Sequence, residues 1–227
     1  MADFKVLTLN IGGSTTIAGL LSILRLDNPH LVMIQEVTLS SEQLCVQVSK
    51  FGYKAATNID MTNPSALGTG LIWQSHLPVS DIYSVVECRA QALKLGQYAF
   101  INIYAPSGSQ NRQSRREFFG QDIFRFIRSF SNHSLPIIAG DFNSILSQRD
   151  TERNFSDKTC PARICRTIST ILMLTGCFNL KVFLTPSLGQ TVLLLAWTDS
   201  IFLSIWLEVS SLYLSKLLWV IIMESIC

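Results

Sequence analysis

The 227-residue sequence predicts a layered α/β domain in which sheets are covered by helices. Two observations carry that expectation. Short apolar runs of strand length alternate with amphipathic stretches of helical spacing. Hydrophobic residues make up 48% of the chain against 15% charged, enough to fill a core and incompatible with disorder. No internal repeat or low-complexity block interrupts the alternation.

The elements follow in order. Lys5 to Asn10 (KVLTLN) is a β-rich run, and Gly12-Gly13 with Ser14 mark a turn and a helix N-cap. Ile17, Leu20, Leu21 and Leu24 recur at helical spacing until Asn28-Pro29 ends the helix. His30 to Glu36 (HLVMIQE) is continuously apolar until its last two residues, as a strand buried on both faces is. A second helix starts at the Ser40-Ser41-Glu42 cap and carries Leu44, Val48 and Phe51. Four strand-like runs follow, Tyr53–Ala56, Gly70–Gln74, Ile82–Val86 and Tyr98–Tyr104, separated by the loop Asn58–Ala66 and by polar turns. The charged stretch Arg112–Ser131 places Phe119, Ile123, Phe126, Ile127 and Phe130 on one helical face, and Leu135–Gly140 is another buried strand.

Charge is unevenly spread. Lys, Arg, Asp and Glu number 29 in residues 1–166 and five in the remaining 61, so the positive mean hydropathy belongs largely to the tail. Within the tail the longest uncharged run, Val182–Thr198, contains Pro186, Gly189 and Gln190, and Asp199, Glu208 and Lys216 then recur. A membrane span wants about 20 continuous apolar residues, so none is expected; a tail-anchored protein stays as the rival to exclude. Net charge is +2, which permits nucleic acid as a partner without arguing for it. The six cysteines form no C-x-x-C pair and no Cys/His set at zinc spacing, so we expect reduced thiols, no disulfides and no zinc. Asp3 and Lys5 stand where a signal peptide would carry its apolar core, which points to an intracellular setting, nuclear or cytoplasmic.

Several apolar strands end in an isolated polar side chain: Asn10, Glu36, Tyr104, and Asp141 with Asn143. Strand ends at one edge of a layered fold can bring such groups together on rigid backbone. A carboxylate closing so apolar a strand is costly unless paired, hydrated or on a cation. Glu36, Asp141 and two amides make an all-oxygen set suited to a hard cation such as Mg²⁺. Taken singly, each is also an ordinary turn former or cap, and Gly140-Asp141-Phe142-Asn143 alone reads equally as an Asx turn.

The motifs LTLNIGG (Leu7–Gly13), MIQEV (Met33–Val37), INIYAPSG (Ile101–Gly108) and IIAGDFNS (Ile137–Ser144) resemble the ordered motifs of the endonuclease/exonuclease/phosphatase superfamily. Within it they look closest to the apurinic/apyrimidinic-like endonuclease domain of LINE-type retrotransposons, and GTGLIW (Gly68–Trp73) matches the glycine-led strand between the second and third motifs. The resemblance covers residues 4–150. It implies a four-layer α/β sandwich over residues 1–181, incomplete at its C-terminal end, with 182–227 as a divergent apolar tail. It also implies metal-dependent phosphodiester hydrolysis with Mg²⁺, or Mn²⁺ in its place. Glu36 and Asn10 would then hold the metal, with Asn10 also on the phosphate. Asp141 would orient or deprotonate the attacking water. Asn143 would support the phosphate and the other catalytic groups, and Tyr104 would donate to a phosphate oxygen.

DNA would be contacted through Arg112, Arg115 and Arg116, whereas Arg125 and Arg128, interspersed with Glu117 and Asp122, read as a solvated helix face. Family members close with an Asp-bearing strand and a Ser-Asp-His. Here the three histidines, His30, His76 and His133, all precede the fourth motif and read as structural. Phe178–Lys181 and Ala196–Thr198 echo late family strands, but Asp199 and Glu208 sit in no recognisable pair. The abrupt change near Lys181 suggests a frame shift or a decayed coding copy, which would leave sheet edges open and activity in question. The expected function is a Mg²⁺-dependent, DNA-nicking endonuclease domain of retrotransposon origin. Two alternatives stand beside it: a noncatalytic or decayed remnant keeping the fold or nucleic-acid binding, and a phosphatase or sphingomyelinase-like phosphodiesterase of the same superfamily.

Overall fold

The computed structural model describes residues 4–13, 17–63, 66–85, 88–107, 112–131 and 134–143, together with three short strands at 180–183, 194–197 and 219–223. Two sheets stack face to face. The first contains β1 (Phe4–Asn10), β2 (Leu31–Val37), β3 (Tyr53–Asn58) and β4 (Gly68–Gln74), and is completed by β11 (Trp219–Met223) in the order β11-β1-β2-β4-β3. The second contains β5 (Val79–Val85), β6 (Ala90–Leu95), β7 (Tyr98–Tyr104), β8 (Leu135–Asp141), β9 (Leu180–Phe183) and β10 (Leu194–Trp197), in the order β5-β6-β7-β8-β10-β9.

Helices cover the outer faces, because alternation along each strand sends every second side chain outward. On the first sheet, Leu20 and Leu24 of α1 (Ile17–Asp27) and Leu44 and Val48 of α2 (Ser41–Val48) pack on Leu7, Leu9, Val32 and Ile34. Ser40 caps α2 in a reciprocal box with Gln43, as the Ser-Ser-Glu start predicts. On the second sheet, the helical stretch 112–131 lays Phe119, Ile123, Phe126, Ile127 and Phe130 over Ile101, Ile103 and Ile138. That stretch is not one regular helix: α3 (Arg112–Glu117) and α4 (Phe124–Ser131) are joined by a π-helical turn, Phe118–Ile123. The turn buries Phe118, Phe119 and Ile123 together, and stacks Phe119 on Phe142 with ring centroids 6.1 Å apart.

Between the sheets lies a third core of Val6, Leu31, Met33, Leu71 and Trp73 from the first and Leu93, Phe100, Ile137 and Ala139 from the second. The layers run helix, sheet, sheet, helix, which is the expected four-layer sandwich. Polar residues enter the seam towards one end. Gln35 donates to the Asn102 carboxamide oxygen (2.6 Å) and to Thr8 Oγ1 (3.1 Å), and Asn102 Nδ2 donates to the carbonyls of Ile34 (2.9 Å) and Gly70 (3.0 Å). Burying these amides is tolerable because they bond one another and the facing backbone.

Three departures from the sequence expectations have physical causes. The strand β6 (AQALKL) is missing from the predicted runs, because Ala, Gln and Lys have weak β preference; it forms as a central strand, paired with β5 on one side and β7 on the other. Several strands extend further than their apolar cores suggest: β3 to Asn58, β4 back to Gly68 and β5 back to Val79. Missing late strands are expected to leave a sheet edge open, but tail strands pair on both sheets, with β11 antiparallel to β1 and β10 antiparallel to β8. Ser14, His133, Phe178, Asn179, Thr198, Asp199, Glu208, Cys160, Cys165, Cys177 and Cys227 lie outside the described residues, as does the side chain of Arg112. Cys45 and Cys88 lie outside any disulfide, and among the described residues no helix is long and apolar enough to cross a membrane.

Candidate active site at the inter-sheet seam

Pairing in the second sheet sets one side of the site. Parallel pairing of β7 with β8 places Tyr104 opposite Asp141, so both side chains stand on the inner face at the ends of their strands. Gly140, just before Asp141, has φ 138° and lies so close to β7 that a Cβ there would come within 2.0 Å of the Ile103 carbonyl oxygen. Only glycine permits this approach.

The first sheet supplies Asn10 and Glu36. Asn10 pairs with Gln35 in register, and both face the seam. Simple alternation would turn the next residue, Glu36, outward with Ile34. Instead the β2–β4 register shifts between Gln35 and Val37, and Glu36 takes a left-handed conformation (φ 59°) that redirects its carboxylate to the seam. Such a conformation costs about 1–3 kcal/mol in a non-glycine residue, and such strain clusters at functional sites.

The two sheets meet at the Asn10 amide. Its Nδ2 donates to Glu36 Oε1 (2.7 Å) and to Asp141 Oδ2 (3.1 Å), while its Oδ1 accepts the Gly12 N–H (3.0 Å). The reverse orientation would set an amide oxygen against two carboxylates, so this one is fixed. Asp141 Oδ1 accepts the backbone N–H of Asn143 (2.9 Å) in an Asx turn, with Asn143 left-handed at φ 45°. Asp141 and Asn143 therefore do not lie in register on an extended strand. The Asn143 side chain donates instead to the Ala105 carbonyl (2.7 Å), tying together the loops after β7 and β8.

Burial raises the Asp141 carboxyl above the usual carboxylate range; hydrogen bonds from Asn143 and Asn10 oppose the rise and the Glu36 charge adds to it. Burial likewise raises the Tyr104 phenol, with Glu36 adding to the shift and Arg89 opposing it, so the phenol keeps its proton and can donate. Neither Glu36 nor Asp141 forms an ion pair among the described residues. Two close carboxylates without counter-charge, linked by one amide, fit a hard divalent cation, which takes one or two protein carboxylates and completes its shell with water. No set of three His, Cys, Asp or Glu side chains converges among the described residues.

The structure thus brings Asn10, Glu36, Tyr104 and Asp141 together, with Asn143 at their border. Arg115 reaches the same border, its Nη1 donating to the Asn143 carbonyl (3.3 Å), whereas Arg116 is exposed. Arg125 and Arg128 lie on the exposed helix face, as expected. His30 accepts the Lys5 N–H (2.9 Å) and stacks on Phe4, a structural part, and His76 is exposed. Sequence reasoning missed Arg89, whose guanidinium carbon lies 4.6 Å from the Tyr104 ring centroid. It also missed Gln35 and Asn102, the amides beneath the site, although each adjoins a singled-out motif residue: Gln35 precedes Glu36, and Asn102 stands two before Tyr104.

The model of the endonuclease/exonuclease/phosphatase family matches residues 7–188. No curated protein matches the sequence. Solved structures share the fold at low identity. A 3′-5′ exonuclease from Neisseria meningitidis (NExo) is 14% identical with a TM-score of 0.65, and the match covers 84% of this chain and 86% of that one. NExo from Neisseria, described as a 3′ phosphatase and bound to a product DNA hairpin, gives 14% and 0.63 over the same shares. An AP endonuclease from Archaeoglobus fulgidus gives 15% and 0.63, again covering 84% and 86%.

Proposed function

The chain belongs to the endonuclease/exonuclease/phosphatase family, and from that membership we propose that it is a divalent-metal-dependent endonuclease domain that nicks DNA, of the type encoded by LINE-like retrotransposons. The observation that carries the reading is the meeting of Asn10, Glu36 and Asp141 across the seam between two sheets. The retrotransposon assignment is supported by the motif set LTLNIGG, MIQEV, INIYAPSG and IIAGDFNS.

Enzymes of this family generally depend on a divalent metal. A cation such as Mg²⁺ at Glu36 would supply positive charge against the nonbridging and leaving oxygens of the phosphodiester. Asn10 spaces Glu36 from Asp141 and fixes both carboxylates through one amide. Asp141, made more basic by burial, orients the attacking water and takes its proton. Tyr104 donates its phenolic proton to a phosphate oxygen. Asn143 holds the Asp141 turn and the Ala105 carbonyl, so it shapes the phosphate side of the site. Arg115, with Arg112 and Arg116 on the same helix, would position the DNA backbone.

His30 is engaged with the Lys5 N–H and Phe4, and the reading assigns no histidine to the site; an acid–base group contributes typically 10²–10⁴-fold, so turnover is expected to be slow. Nicking of supercoiled plasmid tests the reading. Conversion to open circles should require Mg²⁺, stop with chelator, and fall about 10²-fold or more in both Glu36→Gln and Asp141→Asn. Nicking indifferent to both substitutions would refute the site. DNA binding without any nicking would favour the noncatalytic reading, and cleavage of a lipid phosphodiester in place of DNA would favour the sphingomyelinase-like one.

A further inference from the structure

We propose that Arg89 is a substrate-phosphate ligand, its guanidinium holding a nonbridging oxygen of the phosphodiester from the side of Tyr104 opposite Asp141. The inference deepens the nuclease reading and rests on it. Antiparallel pairing sets Ala90 opposite Ile103, so Arg89 falls opposite Tyr104, and Tyr104 falls opposite Asp141. Arg89, in the turn just before β6, thus continues the row that Tyr104 and Asp141 form across β7 and β8 at the edge of the seam.

The backbone carrying Arg89 is held from several sides. The Tyr104 N–H donates to the Arg89 carbonyl (2.8 Å), Asn58 Nδ2 donates to the Ala90 carbonyl (3.0 Å), and Thr69 Oγ1 donates to the Cys88 carbonyl (3.4 Å). Two of these three donors come from the other sheet, so the turn is fixed to both sides of the seam. The guanidinium is fixed in turn by lying on the face of the Tyr104 ring.

So placed, the fork leaves a donor over. Arg89 Nη1 is buried and meets no acceptor among the described residues, and Arg89 forms no ion pair with Glu36 or Asp141. A buried cationic N–H without an acceptor is costly, and an anionic oxygen is the acceptor that a planar guanidinium suits best. The charge pattern agrees. Two carboxylates repel an anionic diester, and a fixed cation one side chain away from them offsets that repulsion while leaving the carboxylates free.

Duplex DNA binding, measured in chelator by fluorescence anisotropy across a salt series, tests this on the full chain. Arg89→Ala should weaken binding about ten-fold and lower the slope of log K against log salt by about 0.9, the signature of one lost phosphate contact. Arg89→Lys should restore the slope without restoring the full affinity. Arg89→Met, which keeps the stack on Tyr104 without the charge, replaces the alanine variant if that one fails to fold. An unchanged slope would overturn the proposal and make Arg89 a packing strut. If the unsubstituted chain binds no duplex, the nuclease reading itself fails, and inorganic phosphate decides the status of Arg89. Phosphate should then raise the melting temperature above that in chloride of equal ionic strength, and this rise should vanish in Arg89→Met. Equal responses would overturn the proposal.

Discussion

Replacing Gly140 by alanine probes the contact that seats Asp141. An added Cβ would meet the Ile103 carbonyl oxygen at 2.0 Å, its nitrogen at 2.7 Å and its carbonyl carbon at 2.8 Å. Reaching an ordinary contact with the oxygen requires β7 and β8 to separate locally by about 1.4 Å, which breaks the parallel ladder beside the site. The backbone at φ 138° adds a penalty of about 1–3 kcal/mol for a residue with a side chain, and overpacking adds about 1–3 kcal/mol. The expected loss is therefore about 2–6 kcal/mol, against a total stability of about 5–15 kcal/mol for a typical domain. Urea titration at neutral pH measures it, with Gly19→Ala as the control. Gly19 lies in α1, and a Cβ there meets nothing, so that variant should gain about 0.5–1 kcal/mol. A Gly140→Ala variant within about 1 kcal/mol of the parent would refute the close-approach argument.

Two further substitutions separate stability from chemistry. Because burial raises the Asp141 carboxyl in the folded chain, its contribution to stability is fully present below the unfolded value of about 3.9 and is lost as pH rises through the folded value. In chelator, the parent should therefore lose stability relative to Asp141→Asn as pH rises from 4 to neutral; a flat or opposite difference in urea midpoints would sink the assignment. Glu36→Gly relieves a left-handed backbone and removes a neighbouring like charge, so it should raise stability by about 1 kcal/mol while abolishing metal-dependent nicking. A lower urea midpoint would show that the Glu36 carboxylate stabilises the fold.

The sequence made legible what is local. Strand-length apolar runs each closed by a polar residue pointed to Asn10, Glu36, Tyr104 and Asp141, and these meet because parallel or in-register strands end together. It concealed what pairing decides. AQALKL becomes a strand because two neighbours supply its hydrogen bonds. Glu36 reaches the seam through a bulge that leaves no local trace, since nothing in MIQEV distinguishes a left-handed glutamate from an extended one. Arg89 escaped notice because ECRAQ carries no motif, and its place opposite Tyr104 follows from the β6–β7 register. At Gly140–Asn143 the structure shows the Asx turn, and its acceptor is the same Asp141 carboxylate that the proposed site would use, so the two readings do not compete.

The hydrogen bond from Asn10 to Asp141 joins residues 131 positions apart, the first strand of one sheet to the eighth strand of the chain. Each sheet has an outer core of its own with its helices, but Asn10 and Glu36 belong to the first sheet and Tyr104 and Asp141 to the second, so the proposed site is whole only when the two are docked. Competence is therefore a property acquired last, when the halves dock. On the proposed reading, a nascent chain that has not yet completed β8 has only half of the site, however well its first sheet has folded. By the same token, sub-global parting of the seam would silence the site while both helical layers stay protected from hydrogen exchange, so loss of function would precede loss of structure.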